Sequence, residues 1–157
     1  MIVRAILAAA LLLAISLPAG AGRDEGEAAL RRGDFAMALA EFRPLAEAGD
    51  AASQFDLGIL HQHGWGTARD TAAAMAWYVK AARQGHVLAL HNLGLTYMFG
   101  WGVARNDVQA YLWFSLAAEA PLANAATNRD IIAERMSAAE RAEAEALVEA
   151  WRAEVGE

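Results

Sequence analysis

Leu57-Gly58, Gly64-Trp65-Gly66, Ala68-Arg69, Ala74, Trp77 and Ala81-Ala82 return 36 residues later as Leu93-Gly94, Gly100-Trp101-Gly102, Ala104-Arg105, Ala110, Trp113 and Ala117-Ala118. Residues 51–84 align with 87–120 without a gap and share 11 identities in 34 positions. A period of that length marks stacked supersecondary units, none of which can bury its apolar face alone. The expected fold is all-α, an α-α superhelix built as a short solenoid of about four antiparallel helix pairs.

Composition agrees with that reading. Of the 157 residues, 40 are Ala, the best intrinsic helix former, and only three are Pro. The 57% hydrophobic content supports a packed core, and the length suits one domain. A net charge of −6 and the absence of any basic run argue against electrostatic binding of nucleic acid or anionic lipid. Cys is absent, so burial alone must hold the domain together.

Residues 1–21 read as a secretory signal peptide. Arg4 supplies the positive n-region, Ala5 to Leu17 the apolar core, and Ala19-Gly20-Ala21 the small-residue cleavage site. Thirteen residues at helical rise span about 20 Å, short of a hydrocarbon core of about 30 Å. The chain is therefore expected to be periplasmic or secreted, without membrane contact after cleavage. The rival is an uncleaved N-terminal helix acting as an anchor.

Further along, residues 22–50 read as a degenerate first repeat. Arg23 to Glu27 is polar and expected to fray, and Ala28 to Arg32 forms a short helix stopped at Gly33. Asp34 then caps a helix from Phe35 to Ala48, with a kink or weakened turn expected from Pro44. Asp34, Asp70 and Asn106 fall at steps of 36, each placed as an N-cap where a second helix begins. Residues 51–86 and 87–121 are the two full repeats, with helices 51–62, 71–84, 87–99 and 107–119. Gly58 and Gly94 lie in mid-helix, where Gly costs up to about 1 kcal/mol, so each is expected to mark a close crossing with its hairpin partner. Residues 122–157 form a terminal helix pair. Its second helix opens with the capping box Ser137-Ala138-Ala139-Glu140 and carries Ala144, Leu147, Val148, Trp151 and Val155 as a lid.

These residues resemble the Sel1-like repeats, a branch of the tetratricopeptide-type helical superhelices. The resemblance rests on Gly49-Asp50-Ala51, Gln54 to Gly58, Gly64-Trp65-Gly66, Asp70, Ala76-Trp77-Tyr78 and Ala81-Ala82 to Gly85. The second copy adds Asn92-Leu93-Gly94, Tyr97, Gly100 to Val103, Trp113-Phe114 and Ala117-Ala118. His61 departs from the family's usual aromatic and Thr67 from its usual Val. Cys-rich secreted relatives brace each hairpin with a disulfide, and a chain without Cys inherits neither that brace nor the activity proposed for them.

The resemblance implies a concave face lined by the first helix of each unit. Carried onto this chain, that face presents Ala52, Phe55, Ile59 and Gln62, then Leu88, His91, Leu95 and Met98. An apolar stripe with a few polar members suits an amphipathic helix or extended peptide, so the expected partner is a protein or peptide. The alternative is that Phe55 and Leu95 only pack between units. Trp65 and Trp101, each between two glycines, form a second candidate edge, either as binding anchors or as plugs over their own hairpins. Trp77 and Trp113, on second helices, read as core.

Catalytic chemistry finds little support. His61 and His63 point about 200° apart on a helix, and without Cys or a matching carboxylate spacing the four His residues suggest no metal site. No Ser or Thr sits in a nucleophile elbow, and the glycine loops lack the Lys of a phosphate loop. The expectation is an exported interaction scaffold with no cofactor and no catalysis of its own. The alternative is a small envelope enzyme or ligand-binding protein with a site inside the repeat groove. Cleavage after Ala21 is tested by the intact mass of the protein from its host. A chain beginning at Gly22 is expected, and recovery of Met1 in the membrane fraction would instead establish an anchored form.

Overall fold

The computed structural model describes residues 21–121 and 124–156; all of the expected signal peptide 1–21 except Ala21, and the first two residues of the expected terminal helix pair 122–157, lie outside the described residues. Eight helices follow in order: α1 Ala21–Arg32, α2 Phe35–Glu47, α3 Ala51–His63, α4 Thr71–Ala82, α5 Val87–Phe99, α6 Asp107–Ala117, α7 Ala125–Ala133 and α8 Ala138–Gly156. No strand occurs among the described residues. The first six make three antiparallel hairpins, α1/α2, α3/α4 and α5/α6, stacked through α2 on α3 and α4 on α5.

Each hairpin closes on one contact. Tyr78 and Phe114, both fully buried, lie against Gly58 and Gly94. A Cβ at Gly94 would sit 2.6 Å from Phe114 Cδ1, and one at Gly58 would fall onto the Tyr78 ring. The helical cost of glycine is thus exchanged for closer approach of the two helices. The first hairpin uses the same device: a Cβ at Gly26 would sit 2.5 Å from Phe42 Cε1. Phe42, Tyr78 and Phe114 stand 36 residues apart, but Gly26 precedes its ring by 16 residues where Gly58 and Gly94 precede theirs by 20. The shorter turn Gly33-Asp34 accounts for the difference.

The expected caps form. Asp34, Asp70 and Asn106 accept from the amides of Met37 (3.2 Å), Ala73 (2.9 Å) and Gln109 (2.9 Å). A second series at the same step opens the first helices, where Asp50 accepts from Ser53 N (2.7 Å) and His86 Nδ1 from Ala89 N (3.3 Å). Buried Gln54 ties two hairpins together: its Nε2 donates to Ala46 O (3.0 Å) and its Oε1 accepts from Gln84 Nε2 (2.9 Å).

The first helix corrects the sequence reading. It starts at Ala21 instead of Ala28, because Arg23 is anchored rather than solvated. Its guanidinium reaches Asp56 (3.0 Å), Ser53 (3.2 Å) and Asp50 (3.3 Å) on α3 and lies 5.8 Å from the Phe42 ring centroid. Helix α2 continues through Pro44, whose ring faces solvent.

At the other end, Trp151 meets Trp113 edge-on at 4.8 Å, Val148 and Ala144 are buried, and Val155 stays exposed. Arg83 lies 5.1 Å from the Trp151 ring centroid and pairs with Glu154 at 2.7 Å, fastening α8 back to the end of α4. The terminal helices do not repeat the hairpin pattern; α7 and α8 pack on α6 from two sides. The capping box forms as expected, with Ser137 N donating to Glu140 Oε2 (2.8 Å) and Glu140 N to Ser137 Oγ (3.3 Å).

The close-approach argument is checked by Gly94→Ala. Helix propensity alone would stabilise this change by about 1 kcal/mol, but displacing the Phe114 ring should turn that into a net loss of about 2 kcal/mol. Urea unfolding measures it, and a more stable variant would show that the ring does not hold the hairpin.

Candidate functional site

The stripe expected on the first helices is divided by the packing. Phe55 is half-buried, stacked on His86 at 4.7 Å and tilted against Tyr78 at 5.7 Å, and Ile59 packs against the central cluster formed by α4, α5 and α6. Ala52 is half-buried beside them. Gln62 Oε1 accepts from Tyr78 Oη at 2.5 Å, and Tyr78 Oη in turn accepts from Asn92 Nδ2 at 3.3 Å. On α5, Leu95 and Met98 pack with Ile132 and Met136 beneath α7, and His91 Nε2 lies 3.2 Å from Asn128 Nδ2 of the same helix. Leu88 remains 46% exposed. The eight positions therefore do not form one open groove.

The two Gly-Trp-Gly loops are rigidly set. Gly64 and Gly100 end α3 and α5 in the left-handed region (φ 70° and 69°), where a side chain would strain the backbone. Trp65 N donates to Leu60 O and Asp70 N to His61 O, both at 2.9 Å; Trp101 N to Thr96 O and Asn106 N to Tyr97 O repeat the pair at 3.0 Å. Each loop leans on the unit before it. A Cβ at Gly66 would sit 2.5 Å from Phe35 O, and one at Gly102 would sit 2.5 Å from Thr71 Oγ1.

The loop indoles are stacked on their own neighbours and partly exposed at the same time. Trp65 stacks on Phe35 (4.9 Å) and His63 (4.6 Å), and Trp101 on Phe99 (5.1 Å), yet the two remain 40% and 39% exposed. Phe99 is 56% exposed. Between the loops lies a cleft of about 220 Å³ lined by Gln62, His63, Arg69 and Trp101. Two of its lining rings belong to the loop stacks, His63 to that of Trp65 and Phe35, and Trp101 to that of Phe99. Sequence reasoning singled out Trp65, Trp101 and Gln62 but passed over His63, Arg69 and Phe99. The Ala68-Arg69 and Ala104-Arg105 repeat was the available signal for Arg69. The other indoles differ from each other: Trp113 is buried, whereas Trp77 is half-buried with Lys80 Nζ 4.0 Å from its ring centroid.

Among the described residues no cluster of three or more His, Asp or Glu side chains is placed to hold a metal ion, and no helix is long and apolar enough to cross a membrane. The other clefts, about 270 Å³ around Ser115, Arg129 and Arg152 and about 480 Å³ around Arg105, Asp107 and Glu140, mix both signs of charge.

The Sel1 repeat family model matches residues 51–86 and again residues 87–121. The chain carries two Sel1 repeats. Its fold is similar to that of c5321, a protective antigen present in uropathogenic Escherichia coli strains and displaying an SLR fold. The two share 32% identity and a TM-score of 0.79 over 86% of this chain and 30% of that one. It is also similar to a Sel1 repeat protein from Oxalobacter formigenes, at 32% identity and a TM-score of 0.63, covering 66% of this chain and 43% of that one. The chain thus spans less than half the length of either protein. No curated protein matches it.

Within the Sel1 repeats the titratable groups report how tightly the face is packed. Burial pushes the Tyr78 phenol up to about 12, so it stays a donor to Gln62. Burial also raises Asp56 despite the neighbouring Arg23. For Asp50 burial acts in the same sense, but the hydrogen bonds from Ser53 and the charge of Arg23 together hold it below its usual value. His61, His86 and His91 are all lowered, chiefly by burial, with Arg43 adding to His61 and Arg23 to His86. A lowered His favours the neutral form in the fold, so its contribution is complete above the unfolded value of about 6.5 and is lost as pH falls from there through the lower folded value. The urea midpoint should therefore drop between pH 7.5 and 5.5. His86→Asn, which keeps a capping acceptor but cannot titrate, should show a shallower drop. An unchanged slope would mean His86 contributes nothing to it.

Proposed function

We propose that this protein is an exported scaffold that binds a protein or peptide partner in the cell envelope and catalyses nothing itself. Sel1 repeats are in general protein-interaction scaffolds. The observation that carries the reading is the loop edge, where Trp65, Trp101 and Phe99 stay 39–56% exposed on a backbone pinned by hydrogen bonds. Exposed aromatic anchors on a rigid support are the usual composition of interface hot spots, since they gain area on binding and lose little entropy. On α3, Gln62 lines the cleft at this edge, while Phe55 and Ile59 are half-buried in packing with the second hairpin and the central cluster and contribute less. His91, Leu95 and Met98 contribute less, since α7 covers them, and Leu88 stands exposed beside them.

Export rests on Arg4, the apolar run and Ala19-Gly20-Ala21. The similar E. coli protein is a protective antigen, a property in keeping with a location outside the cytoplasm.

The test is affinity capture from an envelope extract, followed by reconstitution with the purified partner and titration calorimetry. A stoichiometric protein complex is expected, weakened at least about tenfold by Trp65→Ala with Trp101→Ala while circular dichroism is unchanged. Capture undiminished in the folded double variant would move the site to the inner face, where Ile59→Asp tests it. Turnover of a small molecule by the wild type would replace the scaffold with an enzyme.

A further inference from the structure

The two loops are not equivalent, and the difference lies in one arginine. Arg69 and Arg105 occupy the same position 36 residues apart. Arg105 is neutralised in a forked pair, its Nε 3.2 Å from Asp107 Oδ1 and its Nη2 3.0 Å from Oδ2. The residue equivalent to Asp107 is Thr71, and Arg69 has no carboxylate within ion-pair distance among the described residues. The Arg69 side chain lines the cleft instead.

Its neighbours there are donors as well. The chain Asn92 Nδ2 to Tyr78 Oη to Gln62 Oε1 runs in one direction, so the Gln62 carbonyl is occupied and its NH2 is left for the cleft. The Trp101 indole N–H only donates, and a His63 ring N–H is a further donor. The nearest acidic residue in sequence, Asp70, accepts from Ala73 N at 2.9 Å as a helix cap. In a chain of net charge −6, this cleft is lined without a single carboxylate.

Resting on the scaffold reading above, we propose that the cleft between the loops binds a Glu or Asp side chain of an extended partner segment, with the apolar side chains two positions to either side of that residue on Trp65, Trp101 and Phe99. A carboxylate is planar, accepts the forked pair of an arginine and can also accept from an indole N–H in the plane of the ring. The cleft, at about 220 Å³, has room for one such side chain rather than a folded element. The aromatic rings flanking it on both sides suit an extended chain whose side chains alternate.

Fluorescence anisotropy on the full chain tests this with three labelled hexapeptides. The first carries one glutamate with phenylalanine two positions to either side and serine at the remaining positions, and is blocked at both ends; the second replaces glutamate by glutamine; the third is the glutamine peptide with a free C-terminal carboxylate. The glutamate peptide should bind at least about tenfold more tightly than its glutamine counterpart. Arg69→Gln should abolish that preference, and Arg105→Gln, at the position already neutralised, should preserve it. Thr71→Asp, which supplies Arg69 with the internal partner that Arg105 has, should reduce it. Equal binding of the blocked peptides, no binding by any, or a preference that survives Arg69→Gln overturns the proposal. Selective binding of the free-carboxylate peptide alone overturns the side-chain assignment. If the blocked peptides bind equally while Trp65→Ala with Trp101→Ala still loses the captured partner, the scaffold reading stands and only the acidic recognition fails.

Discussion

A ring lying on a glycine in mid-helix is the constraint from which the other distances in this protein follow. Phe42 over Gly26, Tyr78 over Gly58 and Phe114 over Gly94 each occupy the space a Cβ would need. The helices of a hairpin therefore approach more closely than two ordinary apolar faces would allow. With that distance set, small residues such as Ala38, Ala74 and Ala110 can fill the interface completely, and all three are buried. The many alanines are thus not only helix formers; they are what a narrow interface can hold.

Stacking of one hairpin on the next adds polar control to this apolar core. Arg23 spans from α1 to three groups on α3 and its cap, and Gln54 donates across the joint to the first hairpin while accepting from Gln84 at the end of its own. Tyr78 does the same between the second and third through Asn92 and Gln62. Buried polar groups of this kind stabilise little in net terms but are costly to leave unpaired, so they select one arrangement among several apolar ones. At the far end α7 and α8 replace the next repeat, covering α6 from both sides with Ile132 and Val148.

Much of this was legible in the chain because the repeat is written twice. Gly58 and Gly94 announced close crossings, and Asp34, Asp70 and Asn106 announced helix starts. The first hairpin was harder to read, since its shorter turn moves Gly26 four residues out of step and a comparison at fixed period passes over it. Arg23 looked like a solvated charge because its partners on the next hairpin lie 27 to 33 residues away, a separation that no local pattern reports. The inner stripe was visible as a pattern, but the covering of His91, Leu95 and Met98 by α7 depends on tertiary packing alone. In the cleft, the identical arginines of the two loops concealed the informative position, which is Thr71 against Asp107.

The one-way run from Asn92 through Tyr78 to Gln62 has a mechanical consequence. Greasy surfaces can slide by small steps at little cost, but a hydrogen bond directed through a single hydroxyl tolerates far less displacement. Gln62 belongs to the second hairpin and Asn92 to the third, so this hydroxyl resists translation of one against the other. The opening between their loops inherits that stiffness. A buried phenol thus braces it from within, one hydrogen bond behind the Gln62 that a visiting chain would touch.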